Sequence, residues 1–256
     1  MLNIALFSPR ELTNYFRQKF KNLSLCNVVF VFEDTNSDTK SDEYCFDLKH
    51  DYDYKFLREL KVEVVLVYGW NYLVPESVLN NFEFYNLHAS MLPQYRGPLP
   101  ILFQLLNNES TIGVTLHKMS KSFDTGDIYK QEEFSIADSK DYLSISTKVL
   151  KTSAKLINSF ISDYISQKVV LTPQDHSQAT YYSKRELDKY IVDSTFTYPE
   201  FCKLETIFKH YFPFRVLIDS QIYEVKSFDL KPTSGSEKFA LRDKTIYLQI
   251  SSCEHI

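Results

Sequence analysis

Asn86 and His88 stand two residues apart in the stretch NLHASMLPQYRG, and Asp124 stands in a second stretch, KSFDTGD. At a strand end, side chains separated by one residue point to the same face, so a carboxamide and an imidazole can reach one substrate atom while Leu87 turns to the core. That pair suits acyl transfer to an amine. The imidazole handles the amine proton, and the carboxamide stabilises the oxygen on which negative charge develops. A carboxylate that sets the charge and tautomer of the imidazole completes the set, and Asp124 offers one. Taken alone, Asn-x-His is more often structural than functional, and Asp-Thr-Gly is an ordinary turn with a capping aspartate and a glycine at positive φ. Asp-Thr-Gly is also the aspartic-protease triplet. That chemistry needs a second carboxylate of the same kind in an all-β frame, whereas this chain reads as α/β.

The elements that would carry these residues follow from periodicity. Leu2–Phe7, Asn27–Glu33 and Val62–Val67 are near-continuous apolar runs, and helices are expected over about Glu11–Lys21 and Tyr54–Leu60. Buried strands alternating with helices predict a parallel sheet covered on both faces. Glu83–Leu87 is a fourth strand, which places Asn86 and His88 at its carboxyl end, where open α/β sheets bind ligands. Thr111–Lys118 and Ile128–Ile136 read as a β-pair around the Asp124 turn, and ILFQLLNN between them and the histidine as a helix. A long amphipathic helix runs from an N-cap at Asp138 or Ser139 to about Gln167. Residues 34–53 are polar and acidic and read as a surface loop. Val169–Thr180 reads as a linker, followed by an aromatic-rich segment with a hairpin around Asp219-Ser220 and a strand near Thr245–Ile250. The expected fold class is therefore α/β, a doubly wound, mainly parallel Rossmann-like sheet core over residues 1–170 with a small β-rich C-terminal subdomain over 171–256.

Composition excludes several alternatives. The chain has 256 residues, 44% hydrophobic and 24% charged, with a formal net charge of −4. Such a balance disfavours a long nucleic-acid ligand, although a small phosphorylated substrate needs only a local cation. The four cysteines form no Cys-x-x-Cys pair, so reduced, inert thiols in the cytoplasm are expected. No apolar run reaches spanning length. Four of the five glycines (Gly69, Gly97, Gly113 and Gly126) lie within residues 69–126. With no glycine in the first 68 residues there is neither a P-loop nor a dinucleotide fingerprint after the first strand.

In combination the motifs are specific. Asn-x-His-x-Ser-x-Leu-Pro-x-Tyr-Arg-Gly, then Gly-Val-Thr-Leu-His-x-Met and Asp-Thr-Gly-Asp-Ile, resembles the 10-formyltetrahydrofolate-dependent formyltransferase family, densely over residues 60–137. The resemblance implies Asn86, His88 and Asp124 as the catalytic set, N10-formyltetrahydrofolate as formyl donor, and no metal. It implies a folate cleft built by Tyr72, Leu73 and Val74 on one loop and Ser120, Lys121, Ser122 and Phe123 on another, with the pterin held mostly by backbone groups. Arg10 lies where relatives place acceptor phosphates. Tyr95 and Arg96 are further substrate-binding candidates, or simply fix their loop. Trp70 stacks on a bound ring or packs in the core. His117 reads as a packing or hydrogen-bonded residue rather than a second base.

The loop FSPRELTNYF lacks the glycine-containing phosphate loop of relatives acting on glycinamide ribonucleotide. Methionyl-tRNA formyltransferases are similar in YGWNYLVPESVL, but they are longer, with a basic, glycine-rich insertion where this chain is acidic. NLHASMLPQYRG, GVTLHKMSKSFDTGDI, ATYYSKRELDKYI and YFPFRVLIDSQIYEVKSF look closest to sugar N-formyltransferases acting on dTDP-linked amino sugars of bacterial surface polysaccharides. The resemblance thus implies dTDP-4-amino-4,6-dideoxyglucose as acceptor, in O-antigen (lipopolysaccharide) biosynthesis. A methionyl-tRNA formyltransferase and an inactive folate-binding relative are the alternatives. The expected partner is a small nucleotide-sugar rather than a nucleic acid or a membrane, with the β-rich segment as the surface of a homodimer.

Overall fold

Strands rich in Val, Ile, Leu and Phe on both faces need cover on both faces, and they receive it. The computed structural model describes residues 1–20, 26–33, 43–46, 54–70, 72–139, 141–209 and 212–252. Two compact units emerge, the first from residues 1–100, 111–135 and 147–181, the second from 101–110, 136–146 and 182–256.

In the first unit, β1 (Leu2–Phe7) is followed by α1 (Thr13–Phe20), β2 (Cys26–Glu33), β3 (Glu43–Phe46), α2 (Lys55–Glu59), β4 (Val64–Tyr68), α3 (Glu76–Leu79) and β5 (Glu83–His88). After α4 (Pro100–Leu106), which falls almost wholly in the second unit, this unit continues with β6 (Thr111–Lys118), β7 (Ile128–Ser135) and most of α5 (Tyr142–Ile165). The sheet order is β3-β2-β1-β4-β5-β6-β7. It is parallel from β3 to β5, and β6 and β7 join antiparallel. Thus the doubly wound expectation holds, with the motif-bearing β-pair as its antiparallel margin.

Pleating decides which side chain goes where. Ala5, Phe7, Val65, Val67 and Phe84 turn to one face, where Phe56 and Leu57 of α2 and Val78 of α3 cover them. Tyr85 turns to the other face and meets Phe160 of α5 at 4.4 Å between ring centroids, while Phe160 also takes Tyr129 edge-on at 5.2 Å.

Two sequence expectations need correction. Glu43–Phe46, within the stretch expected to be a surface loop, is an edge strand paired parallel to β2. Tyr44 explains it: its ring stacks on Phe56 at 4.2 Å, and that apolar contact anchors a strand whose surroundings are polar. The rest of 34–53 lies outside the described residues. The cap of α5 is Asp141, whose Oδ1 accepts from Ser144 N at 2.8 Å, rather than Asp138 or Ser139. Cys26, Cys45 and Cys202 are free thiols, and Cys253 lies outside the described residues. Among the described residues no helix is long and apolar enough to cross a membrane.

The second unit carries α6 (Tyr198–Phe208) and β8 (Arg215–Ile218), β9 (Gln221–Asp229), β10 (Glu237–Ala240) and β11 (Thr245–Ser252), in the antiparallel order β10-β11-β9-β8. The expected hairpin is β8–β9, turned by Asp219 and Ser220, both at positive φ. α6 was not expected, yet its start is legible. Thr197-x-x-Glu200 forms a capping box, Thr197 N donating to Glu200 Oε2 at 2.7 Å, with proline in the first turn. Below it Phe201 meets Phe214 and Phe228 edge-on. Thr197→Ala should therefore cost about 1 kcal/mol, read as a lower urea midpoint at unchanged slope; an unmoved midpoint would show that the box contributes nothing.

Candidate active site

β5 ends in Asn86-Leu87-His88, and the two-residue period puts Asn86 and His88 on the Phe84 side of the sheet. His88 and His117 are buried, and the side chain of Asp124 is 9% exposed. Across the antiparallel β5–β6 pair, Asn86 faces His117 and His88 faces Thr115. Asp124 arrives from the turn after β6.

Asp124 Oδ1 is the meeting point. Asn86 Nδ2 donates to it at 3.4 Å, His88 Nδ1 lies 3.4 Å away and His117 Nε2 3.6 Å away. Its other oxygen, Oδ2, accepts from Gly97 N at 2.8 Å. The tautomers follow from the carbonyls nearby, because a carbonyl only accepts. His88 Nε2 donates to Tyr95 O at 2.7 Å, which leaves Nδ1 as the nitrogen free for proton transfer. His117 Nδ1 donates to Lys118 O at 3.0 Å, so its Nε2 accepts from Asn86 Nδ2 at 3.3 Å. The carboxamide hydrogens of Asn86 are thus held only by long contacts. One of them can turn to an incoming oxygen at small cost, as sites without substrate commonly require.

Burial sets the charges. It holds the His88 pKa below its ordinary value, with the Asp124 carboxylate opposing it. For Asp124 burial pushes upward, but the neighbouring imidazoles and the Gly97 N–H prevail and keep it well below the usual carboxylate range. The result is a neutral imidazole beside a fixed negative charge. Such a pair can accept a proton at Nδ1 and stabilise the imidazolium that forms. Among the described residues no group of three or more His, Cys, Asp or Glu could hold a metal ion.

The loop carrying His88 is tied down from β6 and β7. Thr115 Oγ1 donates to Ser90 O at 2.6 Å and accepts from Leu92 N, while Gln131 Nε2 donates to both Leu92 O and Thr115 Oγ1 at 2.8 Å. Close approach explains two of the clustered glycines. A Cβ on Gly113 would lie 2.3 Å from Met91 Sδ, and one on Gly126 would lie 1.8 Å from Lys118 O.

The other sequence candidates are placed as follows. Tyr95 and Arg96 are buried, with Tyr95 O on His88 and Arg96 Nη2 donating to Gln174 Oε1 at 2.6 Å and His176 Nδ1 at 2.9 Å. Trp70 packs on the core, 5.0 Å from Phe7, and meets Tyr72 edge-on. Arg10 lies over the ring of Phe32 at 4.7 Å and is not among the groups around Asp124. Val74 of the first candidate folate loop lies in the apolar cluster, against which Trp70 and Met119, the residue before the second loop, also pack. Leu73 and Phe123 stay about half exposed on those loops. Ser120, Lys121 and Ser122 form the outer turn, where Ser120 Oγ meets Thr125 Oγ1 at 2.7 Å. Both loops thus present an exposed apolar side chain beside one apolar cluster. His117 is buried and hydrogen-bonded, as expected, and its partner is Asn86; Gln174 was not expected at the site. The signal for His117 was its register opposite Asn86; Gln174 had none.

Comparison with known proteins adds three relatives. Over 139 residues the chain is 34% identical to a methionyl-tRNA formyltransferase from Fervidobacterium nodosum, a match covering 54% of this chain and 44% of that protein. The chain thus spans about half the length of the curated relatives it matches. A 4-N formyltransferase from Francisella tularensis superimposes with a TM-score of 0.71 at 19% identity over 100% of this chain and 99% of that one. WlaRD, a sugar 3N-formyl transferase solved with dTDP and 5-N-formyl-THF, superimposes with a TM-score of 0.62 at 16% identity over 98% of both chains. At such identities these two structures speak for the fold. A formyl transferase family model matches residues 26–161, more than half of the chain and the whole of the Asn86–His88–Asp124 cluster, and the chain belongs to that family.

Proposed function

We propose that this chain transfers a formyl group from N10-formyltetrahydrofolate to the amine of a nucleotide-linked amino sugar, with dTDP-4-amino-4,6-dideoxyglucose as the acceptor. The observation that carries the reading is the convergence of Asn86 Nδ2 and His88 Nδ1 on one buried carboxylate oxygen. Bound formyltetrahydrofolate supplies an activated formyl carbonyl. Tyr72, Leu73, Val74 and Ser120 to Phe123 hold its ring. Asn86 turns an Nδ2 hydrogen toward the oxygen on which charge develops. His88 Nδ1 takes the proton of the amine as the amine nitrogen bonds the formyl carbon, and Asp124 stabilises the resulting cation and orients the ring. His88 then returns the proton to the folate nitrogen as the bond from that nitrogen to the formyl carbon breaks. Burial of the site strengthens each of these interactions.

A sugar acceptor is supported by the net charge of −4, by the acidic stretch at 34–53, and by the likeness in fold to WlaRD and the Francisella protein. The second reading, formylation of methionyl-tRNA, has the 34% identity over 139 residues in its favour. An assay with 10-formyltetrahydrofolate against a panel of dTDP- and UDP-amino sugars, with initiator methionyl-tRNA alongside, separates them. Transfer to the tRNA alone would overturn the sugar reading. Sedimentation equilibrium tests the homodimer, for which the cross-strand pair Leu217 and Ile222, each 39% exposed, is the apolar patch to mutate.

The pH profile is a further test. His88 must be neutral to act, and burial lowers its pKa. The kcat/KM profile should stay level through neutral pH and fall only below the ordinary imidazole range. Asp124 raises the His88 pKa, so Asp124→Asn should move that acid limb to still lower pH. A limb that moves upward would sink the role given to Asp124.

A further inference from the structure

The segment 169–180, which follows α5 and reads in sequence as a linker, is bonded to β7, to the Asp124 turn and to the loop that follows His88. Thr172 and Ile128 exchange both backbone hydrogen bonds at 2.8 Å. At the other end Arg96 N donates to Thr180 O at 2.9 Å, and Tyr95 N to Thr180 Oγ1 at 2.8 Å. Between them lies Gln174, 6% exposed. Its Nε2 donates to Asp124 O at 2.9 Å and to Gly126 O at 2.6 Å, and its Oε1 accepts from Arg96 Nη2 at 2.6 Å.

Asp124 has φ 55, in the left-handed region that costs a non-glycine residue about 1–2 kcal/mol. Such a conformation persists only where its surroundings impose it. The carboxamide of Gln174 grips the carbonyls on both sides of Thr125, adding to the hold of Gly97 N on Asp124 Oδ2 and of Lys118 N on Asp127 O. It also joins the turn to Arg96, on the loop whose Gly97 N–H holds Asp124 Oδ2.

We propose that Gln174 is a positioning residue for the formyl transfer: it locks the backbone of the Asp124 turn so that Oδ1 stands beside His88 Nδ1 and Asn86 Nδ2. This rests on the formyl-transfer reading for its consequence in turnover, but not for its geometry. The charged and titratable groups around His88 are Asp124 and His117, with Arg96 acting on Asp124. If the carboxylate drifts from Nδ1, the support it gives to the protonated imidazole weakens.

Gln174→Met keeps the volume and removes all three hydrogen bonds. It should lower kcat on the order of 10²-fold, as misplacement by about 1 Å can, with KM for the formyl donor little changed. The His88 ring, followed by NMR titration, should protonate at lower pH than in the wild type. A merely structural role would reduce the folded fraction and leave that titration where it was. Should Gln174→Met fail to fold, Gln174→Glu retains the Arg96 acceptor and loses both donors, and it too should lose kcat. Wild-type kcat in either folded variant, or an unmoved His88 titration in Gln174→Met, overturns the inference. Folate binding without formyl transfer to any amine by the wild-type protein would overturn the functional reading instead, and the titration still decides Gln174.

Discussion

His88→Asn should lower turnover by about 10²–10⁴-fold, the usual contribution of a positioned general base, with the far-UV spectrum and the folate affinity retained. The size follows from the geometry. His88 Nε2 is committed to Tyr95 O, so Nδ1 is its only nitrogen available for the amine proton, and that nitrogen faces a carboxylate oxygen at 3.4 Å. An asparagine can keep a polar contact there but cannot take a proton at neutral pH. Asn86→Ala should cost about 10²–10³-fold, as loss of one oxyanion donor does. Asp124→Asn should fall in the same range, because the imidazolium then loses the charge that stabilises it. The three act on one proton and one oxygen, so the double variant His88→Asn/Asp124→Asn should be scarcely worse than the poorer single variant. Single-turnover rates with a sugar acceptor measure each of these. A folded variant of any of the three with near wild-type rates contradicts the assignment, and strict additivity in the double would show that His88 and Asp124 work separately.

Gly126→Ala should reduce both stability and turnover, although no atom of Gly126 needs to touch substrate. A methyl group there would sit 1.8 Å from Lys118 O and 2.9 Å from Lys118 C, which are backbone atoms and cannot rotate away. The turn must therefore move, against Gln174 Nε2 on Gly126 O and Lys118 N on Asp127 O at 2.8 Å. Overpacking of this kind costs typically 1–3 kcal/mol and occasionally more. Displacing the Asp124 carboxylate by about 1 Å should cut turnover on the order of 10²-fold. Gly235→Ala is the matched control: nothing lies within 4 Å of its added Cβ, so only the strain of φ +73 remains, about 1 kcal/mol. Thermal unfolding and kcat measured on the same preparations check both halves. A Gly126→Ala protein as stable and as active as Gly235→Ala would refute the close-approach account.

Why part of this site was visible in the chain and part was not comes down to the range of the forces. Asn86 and His88 share a face because a strand has a period of two, a property of the backbone itself. The apolar runs of β1, β2 and β4 announce a sheet buried on both sides for the same local reason, and the Asp219-Ser220 hairpin declares itself through its turn residues. The capping box at Thr197 was equally local and could have been read. Tyr44 could not, because its strand exists through a ring stack on Phe56 twelve residues away, against a polar context.

Adjacent residues alone carry the α/β class, the strand that ends in Asn86 and His88, and the concentration of glycine where backbones approach closely. It took the packing of distant segments to bring Asp124 to His88, to make Asn86 the partner of His117, and to set Gln174 of the apparent linker at 169–180 on the catalytic turn. Backbone period and turn chemistry are written in adjacent residues, whereas a hydrogen bond from Gln174 to the carbonyl of Asp124 leaves no trace in either neighbourhood. It depends on residues fifty positions apart being carried to one place by the packing of everything between them.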